Sequence, residues 1–136
     1  MKIVLDTNSL IQSVPRQSRY HIVWESLVKG EHVLCVSNEI LEEYLEVLQR
    51  LTDYETAELI VKTIINSPFV EHITPYYHFQ MIQADPDDNK FVDCAIAAGA
   101  RYVVTNDHHF DVLRQTRFPY VDVIALAEFA ELLKRM

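Results

Sequence analysis

Acidic and polar side chains recur in this chain directly after short apolar runs. Ile3-Val4-Leu5 leads into Asp6-Thr7-Asn8, Leu34-Cys35-Val36 into Ser37-Asn38, and Val103-Val104 into Thr105-Asn106-Asp107. Two further acid-rich stretches carry Glu39, Glu42, Glu43 and Glu46, and Asp85-Pro86-Asp87-Asp88 with Asp93. Taken singly, each such residue is a turn former or a helix cap, because short polar side chains bond their own backbone. Taken together they describe a site. If Asp6, Glu43, Asp88 and Asp107 converge, carboxylates at close range raise one another's pKa and oppose folding unless something neutralises them. Hard divalent cations do so with oxygen ligands, and a set without His or Cys favours Mg2+ or Mn2+ over zinc. Such ions suit phosphodiester hydrolysis, one activating the attacking water and another stabilising the leaving oxygen.

The elements that must position these acids follow from the apolar pattern. Short runs rich in Val and Ile alternate with segments of helical spacing, the pattern of an α/β domain. Buried parallel strands are expected at Ile3 to Leu5, His32 to Val36, Phe69 to Ile73, Tyr102 to Thr105 and Val121 to Ile124. Helices are expected from Tyr20 to Lys29, stopped by Gly30, and from Asn38 to Leu51 behind Ser37 as cap. Thr52-Asp53-Tyr54-Glu55 has capping-box spacing and opens a helix to about Asn66, ended by Pro68. Asp85 caps a helix with Pro86 at its first position and Gly99 at its stop, and Leu126 to Arg135 forms the last one. In an open parallel sheet, ligands bind beyond the carboxyl ends of the strands. Asp6, Ser37 and Thr105-Asn106-Asp107 all stand there.

Helix geometry ranks the remaining acids. At about 100° per residue, Phe91, Val92, Ala95 and Gly99 form one face, and Asp88 falls near its middle, whereas Asp87 lies at the edge and Asp93 beyond the opposite edge. Asp88 is therefore expected to point inward, with Asp93 as its neighbour. In the helix after Ser37, Glu43 borders the arc of Ile40, Leu41, Tyr44, Leu45, Val47 and Leu48, while Glu39, Glu42 and Glu46 read as a solvated face.

Composition bounds what such a site can serve. With 136 residues the chain is one domain, residues 1 to 136, large enough to bury a core without staples. Two cysteines, Cys35 and Cys94, both in apolar runs, leave neither a disulfide framework nor a structural zinc site. Only two glycines occur, so no Gly-rich phosphate loop can be written. The formal charge of -8 argues against holding duplex DNA by charge alone, although bound cations would offset an acidic site. No signal-peptide pattern or membrane-length apolar stretch occurs, and a cytoplasmic protein is expected.

The set Ile3-Val4-Leu5-Asp6-Thr7-Asn8, Ser37-x-x-Ile40-x-x-Glu43, Asp85-Pro86-Asp87-Asp88 with Ala95 to Gly99, and Val103-Val104-Thr105-Asn106-Asp107 resembles the PIN-domain nucleases over about residues 2 to 125. The Asp-Pro-Asp-Asp segment is most similar to the bacterial branch of toxins from toxin and antitoxin pairs, relatives of the VapC type. The resemblance implies a three-layer α/β/α sandwich with a mostly parallel sheet of about five strands. It also implies a metal-dependent endoribonuclease using Mg2+ or Mn2+ on RNA, an antitoxin protein as partner, and a homodimer. By position, Asp6, Glu43, Asp88 and Asp107 match the family's acidic quartet and Asp93 an acid frequent in this branch. Asn8, Ser37 and Thr105 match supporting polar residues. Asn106 stands where many members have Gly, and either reshapes the loop or adds a ligand. A single-strand binder ordinarily has a basic groove, and Arg16, Arg19, Arg114 and Arg117, with His108 and His109, are the local basic groups expected to hold RNA phosphates. His108 and His109 read more simply as loop residues than as catalysts. Tyr76 and Tyr77, beside His78 and Phe79, either stack on bases or pack as a loop.

Two other functions fit part of this pattern. A phosphohydrolase with Asp6 as nucleophile ordinarily has a second acid two residues on, where this chain has Asn8. A non-catalytic PIN-like binding module would keep the acidic pocket without using it, and would bind no Mn2+.

Overall fold

A computed structural model describes residues 1–136. Five strands and six α-helices alternate: β1 Lys2–Leu5, α1 Thr7–Ser13, α2 His21–Val28, β2 Val33–Val36, α3 Asn38–Leu51, α4 Tyr54–Asn66, β3 Val70–His72, α5 Asn89–Ala98, β4 Tyr102–Val104, β5 Val123–Ile124 and α6 Leu126–Lys134. Two 3₁₀ segments, Pro86–Asp88 and His108–Gln115, precede α5 and follow β4. Every pairing is parallel, in the order β3-β2-β1-β4-β5. This is the expected α/β sandwich with its parallel sheet. The central strands are buried on both faces, as consecutive Ile3, Val4 and Leu5 show, because helices cover the sheet on each side.

The strand order carries the functional consequence. Chain connections step from β1 to β2 to β3 in one direction, then return to the far side of β1 for β4. Right-handed crossovers in opposite directions place α5 on the face opposite α1 to α4, and the loops leaving β1 and β4 diverge. The crevice between them is where α/β sheets bind ligands. Both of the strand ends that carry an aspartate open onto it.

Local chemistry explains the helix ends. Ser37 Oγ accepts from the Ile40 amide at 3.3 Å, Asp85 accepts from the Asp87 amide at 3.2 Å, and Gly99 ends α5 with φ of 66°, a conformation that glycine adopts without Cβ strain. The capping-box expectation at Thr52 and Glu55 does not hold. Asp53 caps α4 instead, its carboxylate accepting from the Thr56 amide at 2.8 Å and hydroxyl at 2.9 Å, while Thr52 Oγ1 donates to Leu48 O and finishes α3. Helix α1 and the 3₁₀ segment after Asp107 were not expected. No helix is long and apolar enough to cross a membrane.

Candidate metal-binding active site

Asp6 begins the site and is itself a helix cap. Its Oδ1 accepts from the Ser9 amide at 2.8 Å, which fixes the first turn of α1, and its Oδ2 accepts from the Thr105 hydroxyl. Thr105 Oγ1 in turn accepts from the Asp107 amide at 3.0 Å. One hydroxyl thus ties the acid at the end of β1 to the acid beyond β4. Both Asp6 and Thr105 are buried, and burial raises the Asp6 pKa above the ordinary carboxylate value. The hydrogen bonds from Ser9 and Thr105 oppose that rise, and the charge of Asp107 adds to it.

Asp88 joins from the other side. It is half-buried at the end of the Pro86–Asp88 turn, whereas its neighbour Asp87 is exposed. Burial first, then the charges of Asp85 and Asp107, push its carboxyl up to about 6, with His109 pulling the other way. His109 Nδ1 lies 3.4 Å from Asp88 Oδ2 and 3.4 Å from Asp107 Oδ1, placing an imidazole between the two acids. Ligand atoms of Asp85, Asp88 and His109 all lie within 4.8 Å of one another, a spacing one cation can span. The acids do not stand without an imidazole, as the sequence suggested they would: the Asx turn in which Asp107 accepts from the His109 amide at 2.9 Å brings that ring in beside a set still dominated by carboxylate oxygens.

Glu43 reaches the same neighbourhood from α3. Buried Tyr44 donates its hydroxyl to the Leu5 carbonyl at 2.6 Å, anchoring α3 to the last residue of β1. Glu43 then accepts from the Thr7 hydroxyl, and Lys90 of α5 pairs with its other oxygen at 2.7 Å. Lys90 already neutralises this carboxylate, so Glu43 differs from Asp88, whose nearby charges are mostly of its own sign.

The remaining expected residues divide by what they touch. Asp93 is buried on α5, and its two carboxylate oxygens accept from the Phe79 amide at 3.1 Å and meet His78 Nδ1 at 3.2 Å, so it fastens the segment after β3. Ser37 is a buried cap. Asn106 Oδ1 accepts from the Leu126 amide at 3.0 Å and caps α6, whose own N-cap, Ala125, has no side-chain acceptor. Asn8 is exposed and makes no side-chain hydrogen bond. Arg16, Arg19, Arg114 and Arg117 are all exposed, on the segments that follow α1 and Asp107. Arg19 lies over the Tyr20 ring at 5.3 Å and Arg114 meets Asp111 at 3.4 Å, whereas Arg16 and Arg117 form no ion pair.

Thr7 and Lys90 were not expected as parts of the site, and His109, expected to hold RNA phosphate from the loop, stands instead between Asp88 and Asp107. Thr7 and His109 each carried a local signal, standing one and two residues beyond a strand-end aspartate. Lys90 carried none, because its partner is 47 positions away on another helix.

Comparison with known proteins agrees with this architecture. The fold is similar to a chain of VapBC2 from Rickettsia felis bound to a DNA fragment from their promoter, with a TM-score of 0.64 and 19% identity over 92% of this chain and 98% of that chain. It is similar to a chain of DNA-bound VapBC from Salmonella typhimurium, with a TM-score of 0.64 and 22% identity over 93% of this chain and 98% of that one. The PIN domain endonuclease Utp24 follows with a TM-score of 0.55 and 17% identity, over 91% of this chain and 84% of that one. No curated protein matches. A family model described as a PIN domain matches residues 2–109, from the first strand to the histidine beside Asp88 and Asp107, and the chain belongs to the PIN-domain family.

Proposed function

We propose that this protein is a Mg2+- or Mn2+-dependent endoribonuclease, the toxin of a toxin–antitoxin pair, working as a homodimer held in check by an antitoxin protein. The observation that carries the proposal is the single hydroxyl of Thr105 joining Asp6 and the Asp107 backbone at the crevice between β1 and β4. The donor chemistry fits a divalent ion: carboxylates of Asp85 and Asp88 and the His109 imidazole lie within 4.8 Å of one another, and burial first, then the charges of Asp85 and Asp107, push Asp88 up to about 6, so a cation there would relieve both. Asp6, Asp88 and Asp107 would hold the ion, with Glu43 as a fourth oxygen donor once Lys90 yields it, and Asp85 and His109 at the rim. Such ions, when bound, make water nucleophilic near neutral pH and stabilise charge on the leaving oxygen.

The chain's own residues supply the rest. Thr105 and the Ser9 amide orient the Asp6 carboxylate so that neither oxygen rotates freely. Burial of Asp6 and Thr105 excludes water from that edge of the site. Arg16, Arg19, Arg114 and Arg117 bind the phosphates flanking the cleaved bond. Asn8, two residues after Asp6, offers no carboxylate for the acid step that an aspartyl-phosphate route uses.

Purified protein incubated with single-stranded RNA and Mn2+ should cleave it, and chelator should stop the reaction. Unchanged RNA in Mn2+, with no Mn2+ binding by calorimetry, would instead assign the chain to the binding modules. Trapping of a phosphorylated Asp6 would move it to the phosphohydrolases.

A further inference from the structure

Next to the acids lies a cavity of about 580 Å³, inside the range of sites that enclose a small ligand. Its walls come from the ends of three elements: Ser37 and Glu39 at the start of α3, Asp87 and Lys90 around the start of α5, and the segment between β3 and the Pro86–Asp88 turn. Lys90 connects it to the acids, because this lining residue also pairs with Glu43 at 2.7 Å.

The wall is built rather than incidental. Residues 73–85 contain no helix or strand, and loops of that length in compact domains ordinarily serve function. The backbone of this one is pinned to α5 by side chains. Asn89 accepts from the Ile82 amide and donates to its carbonyl, both at 2.8 Å, and buried Asp93 accepts from the Phe79 amide. These bonds hold Gln80, which has the left-handed φ of 53°, and Gln83 at the cavity.

Charge and shape then narrow the occupant. Glu39 and Asp87 form no ion pair and no side-chain hydrogen bond, while the cavity's lysine is taken by Glu43 and its third carboxylate, Asp93, by His78 and the Phe79 amide. Free carboxylates repel phosphate and accept from N–H donors. Between Pro75 and His78, which both line the cavity, Tyr76 and Tyr77 are 93% and 68% exposed, and Tyr77 leans on Phe79 with ring centroids 4.6 Å apart. Exposed aromatic faces are stacking platforms for unpaired bases. A flat, uncharged ring with hydrogen-bond donors satisfies both conditions. Among the RNA bases, guanine alone carries N–H donors on two adjacent nitrogens, N1–H and N2–H, of its Watson–Crick edge, enough to meet two free carboxylates.

We propose that this cavity reads an unpaired guanine of the RNA strand, with Glu39 and Asp87 accepting from its N1–H and N2–H groups and the Tyr76 and Tyr77 rings stacking at its mouth. The proposal rests on the endoribonuclease reading and adds a base preference to it.

The test uses uridine decamers carrying one guanosine or, in its place, one inosine, which lacks the N2 amino group. Affinity is measured by fluorescence anisotropy in chelator, where no cleavage occurs, and cleavage positions are then mapped with Mn2+. The guanosine decamer should bind about tenfold tighter than the inosine one, and cutting should fall at a fixed distance from the guanosine. Glu39→Gln and Asp87→Asn together should erase the difference, whereas Tyr76→Ala with Tyr77→Ala should weaken both decamers alike. Equal binding of the two decamers overturns the proposal, as does a preference that survives the carboxylate substitutions. Displacement of an arginine-rich peptide, with no discrimination between decamers, would also overturn it and assign the cavity to a protein partner. Loss of cleavage everywhere with guanosine preference intact would sink the nuclease reading and leave the base site standing.

Discussion

The two ends of the sheet handle buried ionisable groups in opposite ways. At the carboxyl ends of the strands, Asp6 is buried but receives hydrogen bonds from Ser9 and Thr105, Asp107 lies near it, and His109 stands between Asp107 and Asp88. At the amino end, His32 precedes β2 with its ring 5.9 Å from Phe129 of α6, and neither of its nitrogens has a partner. Burial shifts the pKa at both ends: it raises Asp6 and Asp88 and lowers His32. A perturbed pKa therefore does not by itself mark a functional site. What separates the two ends is convergence. The acids meet others of their own sign and polar groups that hold their orientation, whereas His32 meets an aromatic edge and keeps its neutral form by desolvation.

The sharpest way to break this contrast is at Asp6. Asp6→Asn should reduce RNA cleavage by more than the ~10–100-fold typical of losing an outer partner of a metal ligand. Its melting temperature should stay near wild type, because Asn is as good an N-cap as Asp and keeps α1 in place. Wild-type cleavage by this variant would show that the acidic end is structural too. Thr105→Val removes only the hydroxyl that ties Asp6 to the Asp107 backbone. It should fall inside that ~10–100-fold range, and a loss greater than that of Asp6→Asn would mean that Thr105 does more than position.

Metal binding should act on stability at one end alone. Mn2+ at about 100 times its dissociation constant contributes about 2.7 kcal/mol to a fold that binds it, read as a rise in melting temperature. Asp88→Asn should lose most of that rise and, without metal, should melt above wild type at pH 7.5. The sign follows from the raised pKa. The penalty for a charged Asp88 is fully present above its folded value of about 6 and is relieved as pH falls towards the ordinary 3.8, so the gain of Asp88→Asn should vanish by about pH 4. An equal Mn2+ response in both proteins would remove Asp88 from the site.

These tests address residues that differ in how far the sequence revealed them. Asp6 and Asp107 were legible because a short apolar run followed by polar residues marks a strand end, and strand ends in a parallel sheet face the ligand crevice. The helical arc ranked the acids near α5 only in part: Asp88 is half-buried as expected but stands on the 3₁₀ turn before the helix, where the 100° spacing does not apply, and Asp93, expected beyond the edge of the buried face, is the acid that the helix buries. The roles of Thr7 and Lys90 were not legible, since each depends on where α3 lies over β1, and that is set by the Tyr44 bond to Leu5 across 39 positions. Helix α1 escaped notice for a local reason. Its sequence, Thr-Asn-Ser-Leu-Ile-Gln-Ser, is poor in strong helix formers, so the Asp6 cap and burial of Leu10 must offset that deficit. Thr52 and Glu55 show the converse. Their spacing satisfied a capping rule, but Asp53 offers a carboxylate to both the amide and the hydroxyl of Thr56, and the better acceptor took the position.

The smallest expected effect lies at the amino end, and its sign opposes that at Asp88. His32 is held neutral by burial first and by the nearby α-amino group second, with Glu31 pulling weakly the other way. The unfolded chain takes a proton on this ring near pH 6.5, whereas the folded one does not until lower pH. Stability contributed here is thus complete above about 6.5 and is lost as pH falls below it. His32→Phe keeps a ring against Phe129 and removes the titrating group. Its melting temperature should be close to wild type at pH 7.5 and should exceed it at pH 5, while RNA cleavage at pH 7.5 is unchanged. A constant difference between the two proteins across that range would mean that the folded imidazole takes up its proton as readily as the unfolded one. In that case desolvation at the amino end is weaker than at the acids, and the two ends differ in burial as well as in convergence.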